Sequence, residues 1–327
     1  MIPVSNETPF PMGRVDFAAQ GNVAFSSSVE ENPVMFDDAS SRGFPSVAHA
    51  AKRIEIEGSR LNIFEFGAGD PVILGTSYLW DMRMWRPQIE SLAKRYRVIV
   101  PELWGHGGSG RLPVATTSMQ DLAKQHLTML DHLGVNRFAL VGLSLGGMWG
   151  AELAMMIPER VSSLVLMGTS LADEPAATRE QYSAILGTIE RQGMLPDALR
   201  EAIVPLYFSP SVASRKPGLP AEFDVALRGW NRERLIDSVV PLGRIIFDRR
   251  DAMDDLAKLK MPVLVMTGAH DIPRPPEEGR RMAECLGCRF VEIPEAGHIS
   301  SLEAPEFVTA ALEAFLAEQS LPVIRAR

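Results

Sequence analysis

The stretch FALVGLSLGGMWGAELA, residues 138–154, places a single serine, Ser144, between an apolar run and a helical pattern. The apolar run is typical of a buried parallel strand, and Gly142 and Gly146 permit a sharper backbone bend than residues with a Cβ allow. A serine on such a strand-to-helix turn stands clear of the sheet, beside the free N–H groups of the next helix. The same position would also suit a serine that only caps the helix beginning near Leu145.

Short apolar runs alternate with helical patterns on both sides of this stretch. The segment RIEIEGSRLNIFEFG, which starts at Arg53, predicts a hairpin, and later apolar runs end near Gly75, Leu103, Gly168 and Gly268. Strands and helices that alternate in this way predict a mostly parallel, twisted sheet with helices on both faces. The expected fold class is therefore α/β.

Composition divides the chain into three predicted parts. Residues 1–50 are rich in Pro, Ser, Asn and Gly without a sustained period, and predict an N-terminal arm that is poorly ordered unless it packs on something. Residues 51–169 and 257–320 carry the alternation and predict the α/β core. Residues 170–256 contain helical patterns and no clear strand, and predict a helical cap, or lid, at the carboxyl-terminal edge of the sheet.

Apolar side chains in the arm raise the question of a docking surface. Met35, Phe36 and Phe44 are residues that a fully solvated linker has little reason to keep. Packing of the arm on the body of the protein or on a second subunit would explain them, so a homodimer is one expected outcome.

Composition and the cysteine pattern limit the classes of partner. The 327 residues carry a net charge of −8, whereas nucleic acids and anionic membranes require a dense basic face, so we expect neither as a partner. The sequence lacks a run of about 18 apolar residues and a signal-peptide pattern, which favours a cytoplasmic protein. Cys285 and Cys288 form a C-x-x-C pattern after a helix rather than before one, so we expect two buried small residues and no metal site.

A serine hydroxyl becomes a nucleophile when a base takes its proton. His298 lies in the loop EAGHISSLEAPEF after an apolar run, where sites collect in α/β sheets. His126 lies on an amphipathic helical pattern and is expected to be solvated. Asp271, just past the run VLVMTG, is the first candidate for the acid that orients the base, and Asp173 is the second. The chain order serine, aspartate, histidine is one that a Ser-His-Asp triad adopts on such a sheet.

The loop WGHGGSG offers a competing interpretation. Gly105, Gly107 and Gly110 match the spacing G-x-G-x-x-G of a dinucleotide site, and an apolar run precedes them. Such a site needs a helix to begin at once, but RLPVATTS follows instead. We therefore expect no dinucleotide or other cofactor, and interpret the loop as a glycine-rich neighbour of Ser144.

With these motifs in order, the chain resembles the α/β-hydrolase family over roughly residues 53–318. The matching pieces are PELWGHGGSG, VGLSLGGM, GAHDIPRPP and AGHISSLEAPEF. The resemblance implies an α/β-hydrolase fold in which Ser144 is the nucleophile, His298 the base and Asp271 the orienting acid. It also implies an oxyanion hole built from the backbone N–H of Leu145 and one N–H from the loop after residue 75.

That loop, GTSYLWDMRMW, departs from the His-Gly found in many members. Alignment on Met84–Trp85 makes Tyr78 the second oxyanion donor. The motifs GLSLGGM and HISSLEAP resemble those of 3-oxoadipate enol-lactonases, whereas TSYLW resembles theirs only in part. Five residues are expected to line the substrate pocket: Ser77, Trp80, Trp149, Tyr207 and Trp230. Trp149 would equally suit the core between helix and sheet.

These observations predict a serine hydrolase that cleaves a small-molecule carboxylic ester or lactone through an acyl-enzyme intermediate, without a metal or organic cofactor. Three other activities would use the same three residues and remain alternatives: those of an enol-lactone hydrolase, a carbon–carbon bond hydrolase and a perhydrolase. A receptor of hydrolase fold that binds a ligand without turning it over is the alternative from another class.

Overall fold

The computed structural model describes residues 52–320. The expectations for the arm, residues 1–50, lie outside the described residues, as do residues 321–327. Eight strands occur in the described part: β1 Lys52–Ile56, β2 Ser59–Phe66, β3 Pro71–Gly75, β4 Arg97–Pro101, β5 Phe138–Leu143, β6 Val161–Met167, β7 Val263–Gly268 and β8 Arg289–Ile293.

These strands form one twisted α/β sheet in the order β1-β2-β4-β3-β5-β6-β7-β8. The pairs β1–β2 and β2–β4 are antiparallel, and all other neighbouring pairs are parallel. The central strand β5 is buried along its whole length, as its continuous apolar sequence predicts, whereas the edge strands β1 and β8 are exposed or half-buried except at their last residue. The prediction of a mostly parallel sheet is confirmed.

Helices cover the sheet and fill the connection between β6 and β7. The described residues contain these α-helices: α1 Arg86–Leu92, α2 Met119–His132, α3 Leu145–Met156, α4 Ala176–Gln192, α5 Asp197–Ile203, α6 Val212–Arg215, α7 Gly218–Arg228, α8 Arg232–Arg234, α9 Val240–Phe247, α10 Met253–Leu256, α11 Pro276–Leu286, α12 Ser300–Glu303 and α13 Pro305–Ser320. Short 3₁₀ turns span Met82–Trp85 and Val204–Tyr207, and a π-helical turn, Leu235–Val239, joins α8 to α9.

Between β6 and β7 the described chain forms helices and no strand. This helical segment contacts the loops at the carboxyl ends of the strands through long-range pairs, such as the hydroxyl of Tyr78 with the carbonyl of Val239. Its definition as a separate cap stays a prediction. None of the helices within residues 52–320 is long and apolar enough to cross a membrane.

Two expectations about single side chains are wrong. His126 is fully buried, because it continues the buried face of α2 that Leu122 and Met129 define at helical spacing. Cys285 is exposed and Cys288 is half-buried, because both follow the buried residues of α11 at the end of that helix.

Candidate active site

Ser144 occupies the turn between β5 and α3 in a strained backbone conformation. Its φ is +55° and its ψ is −117°, a region that residues with a Cβ rarely adopt. Two backbone contacts hold the turn: the Ser144 N–H donates to the Met167 carbonyl at 2.9 Å, and the Thr169 hydroxyl donates to the Ser144 carbonyl at 2.8 Å. The Ser144 side chain makes no capping hydrogen bond. The helix-cap interpretation therefore fails, and the hydroxyl is not used by its own helix.

The glycines beside Ser144 permit close backbone packing. A Cβ on Gly146 would overlap the carbonyl of Gly75 at the end of β3, and a Cβ on Gly142 would overlap the carbonyl of Gly146. The first turn of α3 therefore lies directly against the neighbouring strand ends. Only residues without a side chain can bring the backbones this close.

Asp271 and His298 form a buried pair. Asp271 follows β7 and His298 follows β8, and both side chains are almost fully buried. The His298 Nδ1 lies 2.9 Å from Asp271 Oδ1 and 3.0 Å from Oδ2. Because a carboxylate accepts hydrogen bonds, Nδ1 carries the proton and Nε2 keeps its lone pair. Asp173, the second candidate acid, is exposed instead.

The end of β6 brings Ser144 and this pair to one place. Gly168 faces the pair: a Cβ there would lie 2.8 Å from Asp271 Oδ2 and 3.5 Å from His298 Nδ1. Its neighbour Thr169 holds the Ser144 backbone. The structure therefore gathers the three residues around a single strand end, as expected where parallel strands share one edge.

The loop after β3 contains an amide, that of Tyr78, without a hydrogen-bond partner in the described part of the chain. Ser77–Trp80 is a turn closed by the Trp80 N–H and the Ser77 carbonyl at 3.2 Å, and Leu79 has a φ of +70°. The Ser77 N–H contacts the sulfur of Met84 at 3.2 Å, and the Leu79 N–H donates to a ring nitrogen outside the loop. Within residues 52–320, the Tyr78 N–H has no hydrogen-bond partner. Leu145, the first residue of α3, likewise lies where helix N–H groups lack an intrahelical acceptor.

An aromatic cluster lies beside His298. Trp80 stacks on Phe223 with ring centroids 4.5 Å apart, and Tyr207 lies 4.9 Å from Phe223 and 5.3 Å from the His298 ring. Phe208 completes the cluster at 6.1 Å from Trp80. Two of the five expected pocket residues, Trp80 and Tyr207, therefore meet next to the candidate base.

The other three expected pocket residues do not belong to this aromatic cluster. Trp149 is buried in the interior, where it stacks on His126 with centroids 3.8 Å apart. Trp230 packs edge-on against His106 at 5.1 Å, and Ser77 is fully buried within its turn. Trp149 thus has the surroundings of a core side chain.

Residues 70–305 match the model of the alpha/beta hydrolase fold family. The chain belongs to this family. A curated relative from Acinetobacter baylyi, 3-oxoadipate enol-lactonase 2, is 27% identical over 272 residues, which are 83% of this chain and 98% of the relative. The solved structure of a thermophilic esterase from Thermogutta terrifontis is 29% identical with a TM-score of 0.75, and that of the enol-lactonase from Burkholderia xenovorans is 27% identical with a TM-score of 0.71. These two alignments cover 83% and 81% of this chain and 100% of each structure.

Sequence reasoning missed a buried carboxylate in this alpha/beta hydrolase. Glu303, in α12, accepts hydrogen bonds from the Gly297 N–H at 2.8 Å and from the Ser209 hydroxyl at 2.6 Å. It therefore joins the loop of His298 to the helical segment. Its position five residues after His298 in the motif HISSLEAP was the available signal.

A second missed group is a buried ion cluster beside Asp271. The Arg274 N–H donates to Asp271 Oδ1 at 2.9 Å, and the Arg274 guanidinium pairs with Glu174. Arg249 also pairs with Glu174, at 2.7 Å. Burial alone would raise the pKa of Glu174, but the two guanidinium groups more than offset it and hold this pKa below its usual value. The cluster connects the loop of Asp271 to the helical segment.

A third such group, Glu102, lies just before the glycine-rich loop and binds it through Gly108. Its Oε2 accepts from the Asn62 amide at 2.8 Å and from the Gly108 N–H at 2.7 Å. Burial raises the pKa of Glu102 to about 7, although both hydrogen bonds act in the opposite direction. No group of three or more metal-ligating side chains occurs among the residues that the structure describes.

Proposed function

We propose that this alpha/beta hydrolase is a serine hydrolase that cleaves a carboxylic ester or lactone through an acyl-enzyme intermediate. One observation carries the proposal: Ser144 stands uncapped on a strained turn held by Thr169, and the adjoining Gly168 faces the buried Asp271–His298 pair. A strained elbow is retained where the surrounding structure needs the side chain at that point.

In the first step, His298 Nε2 takes the proton of Ser144 while the serine oxygen attacks the carbonyl carbon. Asp271 holds the imidazole in the tautomer that leaves Nε2 free, and stabilises the imidazolium that forms. The carbonyl oxygen becomes an oxyanion. The N–H groups of Leu145 and Tyr78 are the proposed donors to it, because both amides lack partners at the same edge of the sheet.

Collapse of this intermediate expels the alcohol, which takes its proton from His298. Water then attacks the acyl-serine with His298 as base, releasing the acid and restoring Ser144. In a lactone the alcohol and acid are parts of one molecule, so the same two steps give a single hydroxy acid, or an oxo acid from an enol-lactone.

The aromatic cluster supports a substrate with an apolar portion. Trp80, Tyr207 and Phe223 form a wall beside His298 in which apolar or planar groups can pack. Similar proteins are named as enol-lactonases and as an esterase, which is consistent with both lactone and ester substrates. We therefore expect activity on simple aryl esters and on enol-lactones.

The test is covalent labelling with a fluorophosphonate combined with turnover of 4-nitrophenyl acetate. Wild-type protein should take up one equivalent of label at Ser144 and turn the ester over repeatedly. Ser144→Ala should do neither, while Ser163→Ala, a change at a buried serine of β6, should retain both. Labelling or turnover that persists in Ser144→Ala would overturn the proposal. A single labelling event without turnover in the wild type would favour the ligand receptor.

A further inference from the structure

His106 links the glycine-rich loop to the turn that carries Tyr78. Its ring is 1% exposed, and its Nδ1 lies 2.9 Å from the Trp104 carbonyl. Because a carbonyl only accepts, Nδ1 bears the hydrogen and Nε2 has the lone pair. The Leu79 N–H donates to that Nε2 at 3.1 Å. This contact crosses 27 residues of sequence.

The turn that His106 holds is intrinsically strained. Leu79 is the third residue of the turn Ser77–Trp80 and has a φ of +70°, a position where glycine or asparagine is usual. A side chain there costs roughly 1–2 kcal/mol. If Leu79 relaxed to a negative φ, the Tyr78–Leu79 peptide would rotate and its N–H would leave His106. The hydrogen bond to His106 therefore opposes this relaxation.

Two hydrogen bonds hold Tyr78 in place, one from its own hydroxyl and one from the N–H of the next residue. Its hydroxyl donates to the carbonyl of Val239 in the π-helical turn at 2.6 Å, and its neighbour Leu79 is held by His106. The His106 ring also contacts Trp230 at 5.1 Å. Burial lowers the pKa of His106 to about 4, although its bond to Trp104 acts in the opposite direction, so the ring stays neutral and accepting at neutral pH.

We propose that His106 is a positioning residue for the oxyanion hole: by accepting the Leu79 N–H, it fixes the turn that presents the Tyr78 N–H to the substrate oxygen. The inference rests on the proposed serine-hydrolase function. From the sequence, the glycine-rich loop was expected only to lie near Ser144. The geometry points to a positioning role for its residue His106.

The test compares His106→Leu with His106→Gln. Leucine removes the acceptor, whereas glutamine can offer Oε1 to the Leu79 N–H. Removal of an oxyanion donor costs ~10²–10³ in rate, so a donor that is only misplaced should cost roughly 10–100-fold. In His106→Leu, kcat for 4-nitrophenyl acetate and the affinity for phenylboronic acid, which forms a tetrahedral adduct with serine, should both fall by that factor. KM should change less than threefold, and His106→Gln should recover most of the loss.

A purely structural role predicts a different result. It would lower the melting temperature of His106→Leu but leave kcat and boronate affinity unchanged, which would overturn the proposal. Leu79→Gly provides a second measurement if His106→Leu does not fold: glycine removes the strain, so His106→Leu in that background should fold and lose less than threefold in kcat. A loss of kcat of threefold or more relative to Leu79→Gly alone would also overturn the proposal. If instead the Ser144→Ala protein still hydrolyses the ester, the underlying function has failed rather than the role of His106.

Discussion

Replacement of Glu303 by alanine is expected to destabilise the loop that carries His298. The Glu303 side chain is 2% exposed, and its oxygens accept from the Gly297 N–H at 2.8 Å, the Ser209 N–H at 3.1 Å and the Ser209 hydroxyl at 2.6 Å. Arg215 lies 3.7 Å away as a half-exposed counter-ion. The carboxylate thus satisfies two backbone donors from segments that are far apart in sequence.

The size of the effect follows from those donors. Each buried N–H left without an acceptor costs about 1–3 kcal/mol, and loss of the carboxylate leaves two of them. Removal of the buried charge itself returns part of this free energy, so we expect a loss of about 3 kcal/mol. In a domain of this size, 1 kcal/mol corresponds to ~2–4 °C in melting temperature, which gives a decrease of about 6–12 °C. Glu303→Gln keeps one acceptor oxygen and should lose less than half as much.

Thermal unfolding and ester hydrolysis measured on the same samples check this expectation. Glu284→Gln changes an exposed glutamate of α11 in the same way and should unfold within about 2 °C of wild type. Because Gly297 precedes His298, Glu303→Ala should also lower kcat more than it raises KM. If the melting temperature of Glu303→Ala equals that of the Glu284→Gln control, the reasoning is refuted, because two buried N–H groups without acceptors must lower the stability.

Three other substitutions test separate parts of the site. Asp271→Asn should lower kcat by ~10⁴ by favouring the wrong imidazole tautomer, whereas exposed Asp173→Asn should leave steady-state kinetics unchanged; equal losses would contradict the pairing of Asp271 with His298. Because the pKa of Glu102 is about 7 in the folded protein against 4.5 unfolded, the native state binds the extra proton between these values and stability falls as pH rises through this window. In urea unfolding, the free energy of unfolding of Glu102→Gln relative to wild type should therefore increase by about 2–3 kcal/mol as the pH rises from about 5 to about 8. A difference that does not change with pH would contradict the buried-acid interpretation. Ser144→Gly should abolish activity yet raise the melting temperature by about 2–4 °C relative to Ser144→Ala, because glycine tolerates the positive φ; a lower melting temperature would argue against strain at this turn.

Local sequence pattern was sufficient for the sheet and for Ser144. The continuous apolar run of β5 predicts a central strand, and the glycines that follow it predict a tight turn into α3. Asp271 and His298 could be placed together because each follows a run of its own, and the carboxyl ends of parallel strands share one edge. The physical basis is the same in each case: strand period, turn chemistry and sheet topology are encoded within a few residues.

Contacts between distant segments were beyond that kind of reasoning. The bond from Ser209 to Glu303 spans 94 residues, and the stacking of Trp80 on Phe223 joins the loop after β3 to α7. Nothing in the local pattern of either member identifies its partner, because tertiary packing selects it. His126 is an instructive exception, since its spacing from Leu122 and Met129 already placed it on the buried face of α2.

Positive-φ residues other than glycine show where local preference has been overridden. In residues 52–320 these are Glu57, Leu79, Ser144 and Glu295. Glu57 is explained by the hairpin between β1 and β2, whose two turn residues both need a positive φ. Leu79 likewise occupies a turn position that takes a positive φ, whereas Ser144 has no such local reason. A rule that assigns glycine to positive φ would miss both. At Ser144 the proposed chemistry requires the side chain itself. At Leu79 glycine would serve the turn equally well, and the hydrogen bond from the Leu79 N–H to His106 opposes relaxation of the strained leucine. The two strained residues lie at the proposed oxyanion hole and at the proposed nucleophile.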